Sequence, residues 1–320
     1  MAKNSKYSVS VILPSTNVPL MVGGYLSKVL EFMSRQNEVD DYEVIVVDSG
    51  KEDFTETFSI DGVRYIKANA GSPMARTLNY GIFNARCQLL LILCDSVLPQ
   101  DDYFQKTIPL FSKATNVFGV SAIVYDYETK TPVDQAYLPD IRFGTIGYRI
   151  NFGALAPTYT FRLSMRNVLV DRQKIGLMGG FQNIFDLGGY VDMDTSLRAW
   201  RNSWKCIFTP ETSCRKTEQT QRPSLYRADS ALTNEIILNY LHTKGFKHAK
   251  FFCMCVTLFL ASTLMNSVRY KGLKNSCKMF FRRIMDAHEI RTWNYSNIHT
   301  GIKDVVDNFF TENKGLQIDK

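Results

Sequence analysis

The segment from Ile236 to Met285 contains no aspartate and no glutamate, although nine lysines and arginines occur in it. A globular surface normally mixes the two signs of charge. A fifty-residue segment in which every Asp, Glu, Lys or Arg is basic therefore indicates an anionic partner, either phospholipid or nucleic acid. The net charge of the 320-residue chain is +7, so its positive excess is concentrated in this segment.

Cysteine and histidine are scarce, with seven and four residues, and they do not occur at the spacings of metal ligands. Cys206 and Cys214 are isolated, and neither they nor the Cys253-Met-Cys255 segment have partner histidines at metal-ligand spacing. The pattern predicts reduced, mostly buried thiols and argues against a zinc site. An apolar content of 45% excludes a disordered chain and is enough for one large domain, alone or with an appendage.

The chain also lacks an export signal, because Met-Ala-Lys-Asn-Ser-Lys-Tyr leads directly into a strand-like segment. We therefore expect a cytoplasmic protein. The uncharged stretch Phe251–Met265 has fifteen residues, whereas a helix needs about twenty to cross a bilayer. This stretch could span a membrane only if flanking residues contribute. Otherwise it is a buried helix that covers the rest of the protein or a helix lying in the membrane interface.

Basic residues on both sides of Phe251–Met265 favour the membrane interface, since each contributes about 1 kcal/mol beside an anionic surface. They are Lys244, Lys247, Lys250, Arg269, Lys271 and Lys274. Nucleic acid is the rival partner. However, no nucleic-acid module is recognisable, and the basic residues alternate with aliphatic more than with aromatic side chains. We expect an anionic membrane surface as partner, and no nucleic acid.

Strand and helix patterns alternate in the first half of the chain. Apolar runs predict strands, and apolar residues at helical spacing predict helices between them. The predicted elements are strands at Ser8–Leu13, Tyr42–Val47, Val63–Ile66 and Gln88–Leu93, with helices from about Pro19 to Arg35 and over Pro73–Ala85. This order predicts an α/β fold with a parallel sheet and helices on both faces. Ligands of such sheets bind beyond the carboxyl ends of the strands, where Asp48 and Asp95 lie.

The pattern loosens between Tyr125 and Thr160, where prolines and glycines interrupt it. We predict a long surface excursion there, of the kind that carries substrate specificity. After Pro210, the polar segment Glu211–Pro223 predicts a linker. We therefore divide the chain into an α/β domain, residues 1–225, and a basic helical region, residues 226–320.

Three aspartates each have two interpretations. Asp192 and Asp194 follow a glycine-rich loop, and carboxylates held near cations can form a base that deprotonates an alcohol. Asp194 is also a plausible helix N-cap, because Thr-Ser-Leu-Arg follows it. Asp95 suits Mg²⁺ or Mn²⁺ bridging to phosphate oxygens, but an aspartate followed by serine is also common in turns.

Five sequence blocks occur in a set order over about 200 of the 320 residues. They are Val9–Asn17, Tyr42–Asp48, Asn69–Gly81, the acid Asp95, and Gly-Gly-Phe…Asp-x-Asp-x-x-x-Arg at 179–198. Jointly they resemble family 2 glycosyltransferases, in particular bacterial polysaccharide and O-antigen transferases of the rhamnosyl type. The resemblance implies the GT-A fold, a Rossmann-like, mostly parallel α/β sheet with helices on both faces, followed here by a C-terminal helical appendage.

The resemblance also implies a role for each matching residue. On the donor side it places the nucleotide, its diphosphate and the sugar beside Pro14, Thr16, Asn17, Asp48, Arg76, Gly179 and Gly180. A divalent cation, Mg²⁺ or Mn²⁺, would be held by Asp95. Asp192 would be the general base for the acceptor hydroxyl, with Asp194 and Arg198 supporting its loop and helix.

The activity implied is inverting transfer of a sugar from a nucleotide-sugar to a lipid-linked or growing glycan, as in capsule or O-antigen synthesis. Such an enzyme would lie peripherally on the inner face of the cell membrane, where donor sugars are available.

Ser49, Leu93 and Val191 stand where the family often has acids, and Ser213-Cys214-Arg215 lacks a histidine common there. These departures favour one alternative, a catalytically silent homologue that binds glycan or acts as a scaffold. A nucleotidyltransferase is a weaker one, because Pro14-Ser-Thr-Asn17 is not a glycine-rich, basic loop.

Overall fold

The structure is a computed structural model that describes residues 7–94, 97–142, 145–185, 190–217, 228–242, 282–283, 285–290 and 302–315. The proposed metal ligand Asp95 lies outside these ranges, and so does the uncharged stretch Phe251–Met265. Within the described ranges, no helix is both long and apolar enough to span a membrane.

Strands and helices alternate along the first half of the chain, as the apolar periodicity predicts. The strands are β1 (Tyr7–Ser15), β2 (Val39–Asp48), β3 (Val63–Lys67), β4 (Leu89–Leu93), β5 (Val97–Pro99), β6 (Val117–Tyr125), β7 (Pro132–Asp134), β8 (Ala136–Arg142), β9 (Thr145–Asn151), β10 (Thr158–Tyr159), β11 (Asn167–Asp171) and β12 (Lys205–Lys216).

The helices are α1 (Val18–Leu20), α2 (Leu26–Ser34), α3 (Met74–Asn84), α4 (Tyr103–Thr107), α5 (Leu110–Lys113), α6 (Arg172–Leu177), α7 (Val191–Arg201), α8 (Ala228–His242) and α9 (Ile302–Gly315). A π-helical turn at Met21–Tyr25 joins α1 to α2, and residues 285–290 are also helical.

One large sheet has the strand order β10-β12-β6-β11-β4-β1-β2-β3, with β5 paired to β12 and β7 paired to β6. Strands β4, β1, β2 and β3 run parallel, while β11 is antiparallel to both of its neighbours. The carboxyl ends of β1, β2 and β3 therefore meet at one edge of the sheet, and the amino end of the antiparallel β11 joins the carboxyl end of β4 there.

Alternate residues of the strands face opposite sides of the sheet, and both sides are buried. In β4, Leu90 and Ile92 pack in one core cluster with α3 and α7. Leu89, Leu91 and Leu93 pack in the other cluster with α2 and α4. This confirms the predicted α/β sheet with helices on both faces. Burial of each such side chain contributes about 1.5–3 kcal/mol.

Two local predictions are wrong. The first strand was predicted to end at Leu13, before Pro14, but β1 continues to Ser15. Proline is tolerated there because the pairing of β1 with β4 ends at Ile12, so the proline nitrogen needs no hydrogen bond to β4. The polar segment after Pro210 is not a linker over residues 211–216. These residues finish β12, whose register shifts between Thr209 and Ser213 and so accommodates the polar residues in a bulge.

The stretch predicted as an excursion contains regular structure. Strands β8 and β9 form a separate two-stranded hairpin, with Tyr137 opposite Ile150 and Pro139 opposite Tyr148. The hairpin is bonded to the C-terminal half of the chain, because the backbone N–H of Ile146 donates to Asn239 Oδ1 of α8 at 2.7 Å.

Candidate active site

The carboxyl ends of β1 and β2 form two adjoining turns. Ser49 N donates to the Ser15 carbonyl at 2.8 Å, and a Cβ added to Gly50 would lie 2.8 Å from the Thr16 carbonyl. Pro14 is buried at the end of β1, whereas Thr16 is exposed. The exposed Asn17 caps the following helix, since its Oδ1 accepts from Leu20 N at 3.1 Å. The structure thus brings Pro14, Thr16, Asn17 and Asp48 to one corner of the sheet edge.

Asp48 is buried at this corner, and both of its carboxylate oxygens have partners. Oδ1 accepts from Gly50 N at 2.7 Å, while Oδ2 accepts from Lys67 Nζ at 2.7 Å and from the Tyr65 hydroxyl at 2.8 Å. Burial, together with the neighbouring Asp48 carboxylate, raises the pKa of Tyr65 to about 12. Asp48 therefore fixes the turn, with Lys67 as a counter-ion that local sequence does not indicate.

Arg76 lies in the first turn of α3 and is exposed. Its guanidinium forms no ion pair or hydrogen bond with any residue that the structure describes. Peptide dipoles make the N-terminal end of a helix attractive to anions, and arginine binds phosphate oxygens in a bidentate manner. Arg76 and the start of α3 therefore suit an anionic ligand.

Gly179 and Gly180 end helix α6 in the left-handed region, with φ of +74° and +75°. The next residue, Phe181, is held by Asn79 of α3. Its N–H donates to Asn79 Oδ1, and its carbonyl accepts from Asn79 Nδ2, both at 2.8 Å. Asn79 therefore ties the glycine loop to the helix that carries Arg76. The sequence signals Asn79 only through its place in the block Asn69–Gly81.

Helix α7 carries the two aspartates, but neither caps it. The helix begins at Val191 after Tyr190, whose φ is +70°, so the expectation of Asp194 as N-cap is wrong. Asp194 is fully buried and accepts from Arg198 Nε at 2.9 Å and from His242 Nε2 of α8 at 2.8 Å. Arg198 in turn donates to the carbonyls of Met178 and Gly180 at 2.9 Å each, which joins α7 to the glycine loop.

Asp192 lies one residue into α7 and is mostly buried. Its Oδ1 accepts from Met193 N at 2.8 Å, and its Oδ2 accepts from Arg162 Nε at 2.6 Å. The Arg162 guanidinium lies against the rings of Tyr137 and Tyr148. Burial opposes the charged form of Arg162, but the Asp192 carboxylate and these phenols raise the pKa of Arg162 overall.

A second acid lies close by. Asp134 is buried and accepts from the Tyr137 hydroxyl at 2.6 Å, from Ser164 Oγ at 2.7 Å and from Arg166 Nη1 at 2.6 Å. Burial acts to raise the pKa of Asp134, but Arg166 and these hydrogen bonds outweigh it and lower that pKa. Sequence reasoning singled out neither Asp134 nor Arg162, since their ion-pair partners, Arg166 and Asp192, lie 32 and 30 residues away in the chain.

A metal site is not assembled by the described residues. Among them, no group of three histidines, cysteines or carboxylates gathers in a way that could hold a metal ion. Leu93, at the position of the first acid of the family motif, points into the core. Asp48 and Asp134 are each paired with a cationic side chain.

The sequence pattern described as Glycosyl transferase family 2 matches residues 10–171. A comparison with curated protein sequences finds no match for this chain.

Solved structures of similar fold include three glycosyltransferases. GalNAc-T7 with UDP, GalNAc and Mn²⁺ has a TM-score of 0.58 and 10% identity, over 78% of this chain and 50% of that one. The mannosyltransferase PcManGT from Pyrobaculum calidifontis with GDP-Man and Mn²⁺ has a TM-score of 0.51 and 16% identity, over 97% of this chain and 88% of that one. TarS 1–349 from S. aureus has a TM-score of 0.52 and 12% identity, over 96% of this chain and 90% of that one.

This chain thus spans half the length of the GalNAc-T7 structure and most of the other two. At these identities the structures share the fold, whereas the family is given by the sequence match, which covers half of the chain. The chain therefore belongs to glycosyl transferase family 2 and has the GT-A fold of these structures.

Proposed function

We propose that this protein transfers a sugar from a nucleotide-sugar donor to a hydroxyl of a lipid-linked or growing glycan, with inversion at the anomeric carbon. The observation that carries the proposal is the direct connection between α3, the glycine loop and α7. Asn79 bonds the loop on one side, and Arg198 bonds it on the other. This connection ties α3, which carries Arg76, and α7, which carries Asp192, to the loop of Gly179 and Gly180.

The donor would lie along the corner formed by β1, β2 and α3. Its nucleoside would contact Pro14, Thr16 and Asn17, next to the turn that Asp48 fixes. The diphosphate would pair with Arg76, and the same guanidinium would offset the negative charge that grows on the departing nucleoside diphosphate. Gly179 and Gly180 would let the backbone approach the sugar closely.

Asp192 would be the general base. Its carboxylate would take the proton of the acceptor hydroxyl while that oxygen attacks the anomeric carbon from the face opposite the diphosphate. The new glycosidic bond forms as the bond between the sugar and the phosphate oxygen breaks. A single displacement of this kind inverts the configuration and needs no covalent intermediate between sugar and protein. Asp194 and Arg198 would support the helix and the glycine loop.

A divalent cation fits these residues only with help from the substrate. Mg²⁺ and Mn²⁺ can be held by one or two carboxylates together with substrate phosphates. We propose Asp95, which follows the last residue of β4 by two positions in the sequence, as that carboxylate. When bound there, the cation would further offset the charge of the diphosphate.

The acceptor and the location are proposed from the acid-free segment between Ile236 and Met285. Nine basic residues without an acid would hold this region on an anionic membrane surface, which would bring the site to a lipid-linked acceptor. We place the enzyme on the cytoplasmic face of the membrane, in capsule or O-antigen type polysaccharide synthesis, with no nucleic-acid partner.

A catalytically silent glycan-binding homologue is the second candidate. It is favoured by the apolar side chains of Leu93 and Val191, which pack in the two cores at positions where the family often has acids. A panel of nucleotide-sugars, assayed for nucleoside diphosphate release with Mg²⁺, Mn²⁺ or EDTA, separates the two candidates. No release from any donor in the panel would favour the silent homologue.

Asp192→Asn tests the proposed base directly. General-base catalysis contributes about 10²–10⁴-fold, so we expect a loss of kcat of that order, while the affinity for the donor stays within about twofold. Asp101→Asn is the matched control, because Asp101 is an exposed acid that pairs with Arg35 and with none of the proposed site residues. Normal turnover by Asp192→Asn would remove Asp192 as the base.

A further inference from the structure

Arg162 lies in the segment between β10 and β11, and its guanidinium is directed at Asp192. Nε donates to Asp192 Oδ2 at 2.6 Å, and Nη2 contacts the same oxygen. The other oxygen, Oδ1, accepts from the helix N–H of Met193. The plane of the Asp192 carboxylate is therefore fixed from two directions, one of which is a side chain from another part of the chain.

The position of Arg162 is itself set by two aromatic rings. Its Cζ lies 4.5 Å from the ring centroid of Tyr148 and 4.9 Å from that of Tyr137. The two rings belong to opposite strands of the β8–β9 hairpin and meet edge to face, with centroids 5.0 Å apart. The Tyr137 ring is anchored, because its hydroxyl donates to the buried Asp134.

Tyr148 is the open side of this arrangement. It is 39% exposed, whereas Tyr137 is 4% exposed. The aromatic contact between Tyr148 and Arg162 therefore involves a side chain that is partly exposed to solvent. The contacts form a chain from the outer surface of the hairpin through Tyr148 and Arg162 to Asp192.

We propose that Arg162 is a positioning residue for Asp192 and that Tyr148 of the β8–β9 hairpin holds Arg162 in the productive orientation. The proposal rests on the proposed role of Asp192 as the base. A base must meet the acceptor hydroxyl within hydrogen-bonding distance and in the right direction, so a misplaced carboxylate slows the chemical step more than it weakens donor binding. The hairpin would therefore affect the chemical step through Arg162.

Arg162→Ala, Arg162→Lys and the control Arg86→Ala test the proposal. Arg86 is an exposed arginine just before β4 that pairs with Glu43 of β2 and with none of the proposed site residues. A displacement of about 1 Å at a reacting group can reduce the rate 100-fold. We expect Arg162→Ala to lower kcat about 30- to 100-fold, with the donor KM within about twofold. Arg162→Lys retains the positive charge but not the planar guanidinium with its paired N–H donors, so its kcat should lie between those of Arg162→Ala and the wild type.

Chemical rescue separates positioning from a purely structural role. Added guanidinium ion, at concentrations far below those that unfold proteins, should restore part of the kcat of Arg162→Ala and leave Arg86→Ala unchanged. Tyr148→Phe keeps the ring and should retain most of the activity, whereas Tyr148→Ala should lower kcat in the same way as Arg162→Ala. Unchanged kcat in Arg162→Ala, or a loss that neither guanidinium nor lysine recovers, would overturn the proposal.

Asp192→Asn in the same series keeps this proposal distinct from the proposed function. If Asp192→Asn retains turnover, the assignment of the base fails. If Asp192→Asn loses turnover but Arg162→Ala does not, only the positioning role fails. With both roles correct, adding Arg162→Ala to Asp192→Asn should cause little further loss, since the two residues act through one carboxylate.

Discussion

Gly179 and Gly180 have nearly the same backbone conformation but different surroundings. A Cβ added to Gly179 would meet no atom within 4 Å, whereas one added to Gly180 would lie 2.4 Å from Asn79 Oδ1. A non-glycine residue costs about 1–2 kcal/mol in the left-handed region at either position. At Gly180 the substitution would also displace the side chain that holds both backbone groups of Phe181.

We predict that Gly180→Ala lowers the free energy of unfolding by about 3 kcal/mol, because left-handed strain is added to the loss of the Asn79 hydrogen bonds. Gly179→Ala should cost only about 1–2 kcal/mol. Urea unfolding measures both values, and titration with UDP and GDP should show weaker binding mainly for Gly180→Ala. Gly176→Ala in α6 is the control, since its added Cβ meets nothing and its φ is not positive. Equal losses at 179 and 180 would contradict the importance of the Asn79 contact.

At the scale of elements, α7 and α8 are joined by the buried hydrogen bond between Asp194 and His242. Burial, with a smaller effect of the Arg201 charge, lowers the pKa of His242 to about 4, although its bond to Asp194 acts in the opposite direction. In the unfolded chain the pKa is near 6.5. Between these values the unfolded chain binds a proton that the folded protein does not. Stability is therefore lost as the pH falls from about 6.5 to about 4, by up to about 3 kcal/mol.

We predict that His242→Gln is less stable than the wild type at pH 7.5 but loses less stability between pH 7.5 and pH 4.5. The difference between the two proteins in this loss should be about 2–3 kcal/mol, because glutamine does not titrate. Urea unfolding at the two pH values measures it. His288→Gln, at an exposed position where the ring bonds to the Tyr240 hydroxyl, is the histidine control. A parallel pH dependence of His242→Gln and the wild type would show that His242 is not the group responsible.

The elements of the first half were predictable because each carries its own periodic signal. Strands β1 to β4 are short apolar runs, and α2 and α3 have apolar residues at helical spacing. The antiparallel direction of β11 and the last residues of β12 carry no such signal. They are set by pairing with strands far away in the chain, such as Cys214 with Pro99. The hairpin of β8 and β9 was concealed by its prolines and glycines.

The residues of the candidate site likewise fall into two groups, those that the sequence indicates and those that only the structure reveals. Asp192, Arg198 and the two glycines lie in one continuous segment, so the family pattern was enough to select them. Arg162 and His242 reach α7 from 30 and 48 residues away and lie in no quoted block. Their importance depends on tertiary contacts, which a single sequence does not reveal.

At the scale of the molecule, the C-terminal helices share the core of the α/β domain. Ile236, Ile237 and Leu241 of α8 are buried in the same cluster as α3 and α7. From α9, Phe309 packs edge to face on Trp200 and Phe161, with ring centroids 5.2 and 5.8 Å away. The described parts of residues 226–320 therefore complete the core beside the candidate base.

We predict that Phe309→Ala destabilises the whole protein by about 3–5 kcal/mol, since it would leave a cavity beside α7. Its neighbour Phe310 is 40% exposed, and Phe310→Ala should cost less than about 1 kcal/mol. Thermal or urea unfolding monitored by tryptophan fluorescence measures both, because Trp200 contacts Phe309. If Phe309→Ala left the unfolding midpoint unchanged, α9 would not be part of the cooperative core.

The bond between Ile146 N and Asn239 Oδ1 joins positions 93 residues apart, and it has a consequence for synthesis of the protein. The corner of β1, β2 and β3 lies within the first 67 residues and can assemble while the chain is still emerging from the ribosome. The hairpin and helix α7 obtain their final partners only after α8 and α9 have been made. Competence for the proposed transfer should thus arise late, after the corner of β1, β2 and β3 has formed, and a nascent chain paused before α8 would lack the final partners of the hairpin and of α7.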